Sequence, residues 1–226
     1  MGDFHRQTKL LKERLQEITA AGAPSALFMI GDYDVHTAAE IGEFKDLLTA
    51  YPIDYYLLRG NHDHPVYWQD RSISSLFEDG YFHLLHEVDY IQWGDVRFLT
   101  VNGAVSVDRT CVRFDMGNCW PDTEAVPKDA VNEVRKLIGE RGKFDVLLSH
   151  TGIIPEKTIK SDFAKSFAST DETLIEDLEK ERHLMQRIQI ASGVKRHYFG
   201  HFHESWRGED YDINCRCLDI CEMIRL

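Results

Sequence analysis

Five short clusters along the chain carry side chains able to bind metal ions or move protons. They are Gly2-Asp3-Phe4-His5, Gly31-Asp32-Tyr33-Asp34, Gly60-Asn61-His62-Asp63, Ser149-His150 and Gly200-His201-Phe202-His203. Singly, most are weak signals: Asp-x-His arises by chance, Gly-Asp is a common turn, and a lone His after a strand is more often structural. Gly-Asn-His-Asp and Gly-His-x-His are rarer. Together they offer carboxylates, imidazoles and one amide oxygen. That mixture suits borderline divalent ions such as Mn²⁺, Fe²⁺ or Zn²⁺ better than Ca²⁺, which prefers oxygen alone. The glycines let the backbone turn sharply and keep Cβ atoms away from a bound ion.

Four of these clusters follow stretches that read as buried strands, at 26–30, 53–58, 144–149 and 195–199, the first of them a continuous apolar run. In open α/β sheets the ligand site lies beyond the carboxyl ends of the strands, so the clusters are expected to meet at one edge. Helical spacing surrounds the strands. Leu10, Leu11, Leu15 and Ile18 form one stripe, stopped by Gly22-Ala23-Pro24, and Ile41, Phe44, Leu47 and Leu48 form a second within 37–50. A short helix is expected over 66–77. Three strands follow at 82–85, 88–93 and 96–101, with Gly94-Asp95 as a hairpin turn. After an irregular stretch from 102 to 126, Pro127 opens a helix carrying Val131, Val134 and Ile138. Ser169-Thr170-Asp171-Glu172 has the form of a capping box for a helix over 173–191, and 211–225 reads as two final strands. Alternating helices and strands imply α/β layering with right-handed crossovers, in one domain spanning 1–226.

The chain's 226 residues suffice to bury roughly three quarters of its unfolded surface without disulfide staples. A net charge of −12 argues against a duplex nucleic-acid binder, although bound divalent ions could supply a local positive site. Five cysteines is an odd number, and no basic-then-apolar leader opens the chain, so reduced thiols in the cytoplasm are expected. No apolar run approaches the ~20 residues of a membrane helix. Cys215, Cys217 and Cys221 match no standard zinc spacing and read as small buried residues.

The five motifs, in this order, resemble the calcineurin-like metallophosphoesterase superfamily, whose pattern is D-x-H, G-D-x-x, G-N-H-[DE], a lone H, then G-H-x-H. The resemblance runs from Asp3 to His203. It implies a four-layer α/β/β/α sandwich with two mixed β-sheets and metal-dependent hydrolysis of phosphate monoesters or diesters. It further implies that Asp3, His5, Asp32 and His203 hold one metal ion. Asp32, Asn61, His150 and His201 would hold the other, Asp32 bridging. Two such ions, about 3.5–4 Å apart, share a hydroxide that attacks phosphorus. His62 would face the leaving-group oxygen, Asp63 would hold the His62 ring, and Arg59 would grip phosphate or else be a surface residue at a strand end. The substrate would be a small phosphate ester or a phosphoprotein; no membrane partner is implied and the oligomeric state is open.

Three departures from the pattern bear on this. The strand that should precede Asp3 is missing from the sequence, so the first metal site is expected to be looser than the second. Asp34 and His36 stand where the family has a later Asp and an Arg, and neither gains a role from the resemblance. Arg6 replaces a usual Gly and could reach phosphate or face solvent. Ser106-Val107-Asp108-Arg109 and Trp120-Pro121 resemble a stretch of some bacterial and phage metallophosphoesterases, which makes Arg109, Arg113 and Trp120 candidate substrate contacts; Trp120 could equally pack down its loop. A metal-poor binding scaffold that retains the fold is the alternative reading, and a DNA nuclease a third, disfavoured by the charge.

Overall fold

The computed structural model describes residues 1–22, 26–110, 119–153 and 162–226, with only the backbone at 162 and 163; Ala23, Pro24 and Arg113 lie outside the described residues. Helix α1 (Thr8–Ala20) leads to strand β1 (Ala26–Met29), helix α2 (Ala38–Thr49) and strand β2 (Asp54–Leu57). Two short helices, α3 (Val66–Gln69) and α4 (Arg71–Ser74), precede β3 (Phe82–Leu84). The expected single helix over 66–77 breaks at Asp70, whose extended backbone and side-chain bond to the Ser72 N–H start a new cap. Then follow β4 (Val88–Trp93), β5 (Val96–Val101), α5 (Ala130–Arg141), β6 (Val146–Ser149), α6 (Asp162–Ala168) and α7 (Leu174–Ser192). The chain ends with β7 (Arg196–Phe199), β8 (Trp206–Asp210) and β9 (Ile213–Cys217).

One sheet has the order β1-β2-β3 and the other β4-β5-β6-β7-β9-β8. Only the larger is mixed, with antiparallel pairs β4/β5 and β8/β9 flanking a parallel centre. The smaller sheet, expected to be mixed, is wholly parallel. Helices join each of its strands to the next, and a helical crossover returns the chain in the same direction.

Strand alternation builds the layers. Leu27, Met29, Tyr55 and Leu57 point toward Leu11, Leu15, Ile41, Phe44 and Leu48 of α1 and α2. Their neighbours Phe28, Ile30, Tyr56 and Leu58 face Phe98, Val146 and Leu148 of the second sheet. On that sheet Leu99, Val101, Leu147 and Phe199 face outward onto Val131 and Val134 of α5 and Met185 and Ile188 of α7. Helix, sheet, sheet, helix is thus the four-layer order expected, each fully buried Leu contributing ~2 kcal/mol. Cys215 and Cys217 pack in the outer layer and Cys221 in the first, consistent with small core residues.

Two local expectations fail for identifiable reasons. Helix α7 has no side-chain cap, because the Asp171 carboxylate is engaged by Arg109 and by the Thr173 N–H. A full capping box stands instead on α2, between Thr37 and Glu40. The final strand pair begins at Trp206 rather than 211. Its polar run belongs to an edge strand, and Tyr211 and Asp212, at φ 47° and 60°, form the hairpin turn.

Residues 1–4 are not loose. The Met1 amino group donates to the Phe28 carbonyl at 2.6 Å, and the Ile30 N–H donates to the Met1 carbonyl at 3.1 Å. Gly2 N–H reaches the Glu222 carbonyl, and Cys221 N–H reaches that of Asp3. These bonds seat Asp3 and Phe4, 0% and 3% exposed, between β1 and the C-terminal segment. The expectation of a floppy first half-site is therefore corrected: backbone pairing on two sides does the positioning.

Candidate metal centre

The loops that follow β1, β2, β6 and β7 converge at one edge, as the sheet topology requires. Nine described non-glycine residues have left-handed backbone, and six lie here: His5, Arg6, Asp32, Asp34, His201 and His203, at φ 43° to 69°. Such conformations cost of order 1–3 kcal/mol each and persist where the surroundings impose them. Glycine permits the closest approaches. A Cβ on Gly60 would collide with Asp32 Oδ1, and one on Gly200 with Asp3 Oδ1. These glycines therefore clear space for the candidate carboxylate ligands themselves.

Two groups of donors form around one shared carboxylate. Asp3, His5, Asp32 and His203 bring ligand atoms within 4.8 Å of one another, and so do Asp32, His150 and His201. In the first, His5 Nε2 lies 3.4 Å from Asp32 Oδ2 and 2.8 Å from His203 Nε2, which is itself 3.3 Å from Asp3 Oδ2. In the second, His150 Nε2 lies 3.2 Å from Asp32 Oδ1 and 2.9 Å from Asn61 Oδ1, and His201 Nδ1 is 2.9 Å from the same amide oxygen. All seven predicted ligands are therefore together. Asp3 is further fixed by the His201 N–H, which donates to both its oxygens.

The donor set fits divalent cations. His150 Nδ1 sits 2.7 Å from the Ile30 carbonyl, which holds its proton there and turns the Nε2 lone pair toward Asp32 and Asn61. A lone pair facing two oxygens requires a positive charge among them. In the metal-free chain a proton supplies it. Burial disfavours the imidazolium, but Asp32 and Asp3 outweigh that and push the His150 pKa up to about 9. His5 behaves alike: burial opposes its charge, Asp34 and Asp32 favour it, and its pKa rises to about 9. His201 goes the other way, lowered by burial and by the neighbouring His150 charge.

The residues expected around the ligands are placed differently. Asp63 does not touch the His62 ring. Its carboxylate accepts the N–H groups of Asp32 and Gly60 at 2.9 Å and of Tyr33 at 2.8 Å, tying the β1 loop to the β2 loop. Burial, and then Asp32, raise its pKa to about 7. The ring is held by Asp34, to which resemblance gave no role: Asp34 Oδ1 is 3.1 Å from His62 Nδ1 and Oδ2 is 3.2 Å from His5 Nδ1. Burial alone would raise the Asp34 pKa, yet these two histidines hold it well below the usual carboxylate range.

Neither expectation for Arg59 holds, since it is fully buried and paired with Glu87 through Nε and Nη2 at 2.9 Å. Its Nη1 donates to the Glu124 carbonyl at 2.8 Å, so it anchors the 102–126 loop. Arg109 is likewise committed, to Asp171 and Asp177 at 2.7 Å, and Arg6 binds Glu40 and the Asp34 carbonyl. Sequence reading assigned no function to Ser106 individually. Its Oγ accepts the Asn61 Nδ2–H at 2.6 Å, turning Oδ1 toward His150 and His201, and its N–H is held by Glu124 Oε1 at 3.1 Å. The Ser-Val-Asp-Arg segment was the available signal.

No helix of the described residues is long and apolar enough to cross a membrane. Among curated proteins, none matches this chain in sequence. Two solved structures share its fold, with TM-scores above 0.5. One crystal structure superposes with a TM-score of 0.62 at 14% identity, over 97% of this chain and 89% of that one. A candidate 5′-nucleotidase from Staphylococcus aureus, in complex with alpha-ketoglutarate, gives 0.51 at 10% identity over 93% of this chain and 42% of that one. An archaeal phosphodiesterase gives 0.44 at 11% identity, over 98% and 82%. The calcineurin-like phosphoesterase family matches residues 1–205. Carrying that family's signature over nearly its whole length, the chain belongs to the calcineurin-like phosphoesterases, enzymes of metal-dependent phosphoester hydrolysis.

Proposed function

We propose that this chain, acting as one domain, hydrolyses phosphate esters with a dinuclear centre of Mn²⁺, Fe²⁺ or Zn²⁺. The observation that carries the reading is Asp32, whose two oxygens face different donor groups: Oδ2 toward His5 and Oδ1 toward His150. One ion would be held by Asp3, His5, Asp32 and His203, the other by Asp32, Asn61, His150 and His201. Such a pair, when bound, lowers the pKa of water and compensates the charge on phosphate.

The chain's own residues supply the rest. Asp34 holds His62 Nδ1 and so orients the ring, whose Nε2 we assign to protonating the leaving oxygen. His62 N–H donates to Asp32 Oδ1 at 2.9 Å, which fixes that imidazole beside the shared carboxylate. Among the described residues Arg59, Arg109 and Arg6 are all paired with carboxylates, so we read phosphate binding as resting on the ions and His62. That favours a small phosphate ester over a phosphoprotein gripped by arginine. The four described thiols form no disulfide among themselves and three of them are buried, which suits a reducing compartment such as the cytoplasm.

Titration with Mn²⁺, followed by assays on p-nitrophenyl phosphate and bis-p-nitrophenyl phosphate, tests this. Two equivalents bound and turnover of at least one ester are expected. Fewer than one equivalent, with the fold intact and no turnover, would replace the enzyme by a metal-poor scaffold.

A further inference from the structure

Three of the four tryptophans pack into the hydrophobic clusters: Trp68 beneath α2, Trp206 in the outer layer and Trp93 between the sheets. Trp120 joins none of these clusters. Its half-buried ring stands 4.7 Å from that of His64 and 5.7 Å from that of His36. The backbone beneath it is firm. Trp120 N–H is held by Glu124 Oε2 at 3.3 Å, and its carbonyl accepts the N–H groups of Thr123 and Glu124, both at 2.8 Å. Among the described residues the indole thus sits on a hydrogen-bonded turn against two imidazoles and outside the core clusters.

It also borders an opening. A cavity of about 520 Å³ is lined by His64, Val66, Gln69, His86, Trp120 and Thr123. That size lies within the range of small-molecule pockets, about 300–1,000 Å³. Its wall begins two residues beyond His62, and the His64 N–H donates to the Val35 carbonyl at 3.0 Å. The His62–His64 segment thus runs beside the Asp34–His36 segment, carrying His62 on the metal side and His64 on the cavity side. Gln69 Nε2 donates to the Thr123 carbonyl at 3.3 Å and closes the far wall.

We propose that this cavity receives the leaving group of the substrate and selects phosphate esters whose alcohol carries a planar aromatic ring. This rests on the phosphoesterase reading for the position of phosphorus. His62 stands beside the donor groups and His64, two residues on, lines the cavity with Trp120, so an ester held at the metal centre with its alcohol toward His62 would have that cavity as its neighbour. Flat π-faces reward a flat partner, and Gln69 and His86 offer polar groups to a heterocycle's edge. A nucleoside and a phenolic alcohol share the required ring, and removal of one stacking platform costs on the order of 5- to 150-fold in affinity.

Adenosine and p-cresol are suitable probes because neither carries phosphate. Adenosine should quench the fluorescence of the Mn²⁺-loaded protein, and Trp120→Leu should abolish that quenching. His64→Ala should weaken it. If p-cresol quenches as well, the shelf takes any aryl ring; quenching by adenosine alone narrows it to a heterocycle. On substrates, Trp120→Leu should lower the ratio of kcat/KM for adenosine monophosphate over that for glycerol phosphate by 5- to 150-fold. Should that variant unfold, Thr123→Trp, which fills the cavity, should give the same loss of quenching. Unaltered quenching in Trp120→Leu or Thr123→Trp, or an equal loss on both esters, would overturn the proposal. Failure to hydrolyse any ester would instead overturn the phosphoesterase reading, with the adenosine titration still reporting on the cavity.

Discussion

Asp34 meets the imidazole of His62 at 3.1 Å with one oxygen and that of His5 at 3.2 Å with the other. A single carboxylate thereby orients both a proposed metal ligand and the group assigned to the leaving oxygen. Asp34→Asn keeps the size and removes the charge. Activity or metal affinity should fall by about 10- to 100-fold, the usual cost of losing such a supporting partner. The loss should grow as the leaving group becomes more basic, because His62 would then protonate it less well. A uniform loss across leaving groups would show that Asp34 acts only through His5.

Asn61 must present oxygen, not nitrogen, to the second donor group, and Ser106 decides which way the amide points. In Ser106→Ala the Nδ2–H loses its acceptor 2.6 Å away, and the amide can turn over. Affinity for the second equivalent of Mn²⁺ should drop about 10- to 100-fold by calorimetry. Ser106→Thr, which keeps the hydroxyl, should restore most of it. A variant whose metal-free Tm falls while both metal affinities stay unchanged would reduce Ser106 to a loop fastener.

Gly200 lies where a Cβ would run into Asp3 Oδ1. Gly200→Ala should displace the Asp3 carboxylate and weaken the first ion, leaving the group around Asn61, His150 and His201 able to bind one equivalent. Loss of both equivalents together would argue that the sites assemble only as a unit.

Much of this centre could be read from the chain because its residue types are chemically restrictive. Asn61 and His150 follow strands rich in apolar residues, His201 was marked instead by its rare Gly-His-x-His setting, and sheet topology brings such loop ends together. Asp34 was opaque for a local reason. Its spacing from Asp32 differs from the family pattern, and only a left-handed backbone at φ 56° turns its carboxylate toward His62. Arg59 was misjudged for a long-range one, since Glu87 is 28 residues away and no periodicity announces an ion pair. Asp63 was assigned to its sequence neighbour, although three backbone N–H groups had a stronger claim on a buried carboxylate. The edge strand β8 escaped because Trp206–Asp210 is mostly polar, and an edge exposed to water needs no apolar run.

Metal affinity should depend steeply on pH. In the metal-free chain His5 and His150 are pushed up to about 9 by nearby carboxylates, so each carries a proton at neutral pH that a cation must displace. Binding should therefore release protons and strengthen as pH rises toward about 9. Calorimetry in buffers of different ionisation enthalpy would count them: between one and two per pair of ions is expected at pH 7.5. No proton release would mean that these imidazoles are already neutral before metal binds.

His197 predicts a separate acid sensitivity of the fold. It is buried in the larger sheet with Nε2 2.6 Å from Ser149 Oγ and Nδ1 2.6 Å from Gln189 Nε2. Gln189 donates to Nδ1, so the ring is neutral with its proton on Nε2, and burial lowers its pKa to about 3. Above pH ~6.5 neither native nor unfolded chain protonates this group, and its contribution is fully present. As pH falls below ~6.5 the unfolded chain takes up a proton that the native state refuses, and stability is lost progressively down to about pH 3. The gap between the two pKa values sets the loss on the order of 5 kcal/mol. Urea unfolding of the metal-free protein between pH 7 and pH 3.5 would measure it. His197→Gln should be less stable at pH 7, because its bonds to Ser149 and Gln189 are disturbed, but should show a shallower decline. Parallel pH profiles for the two proteins would show that another group carries the acid transition.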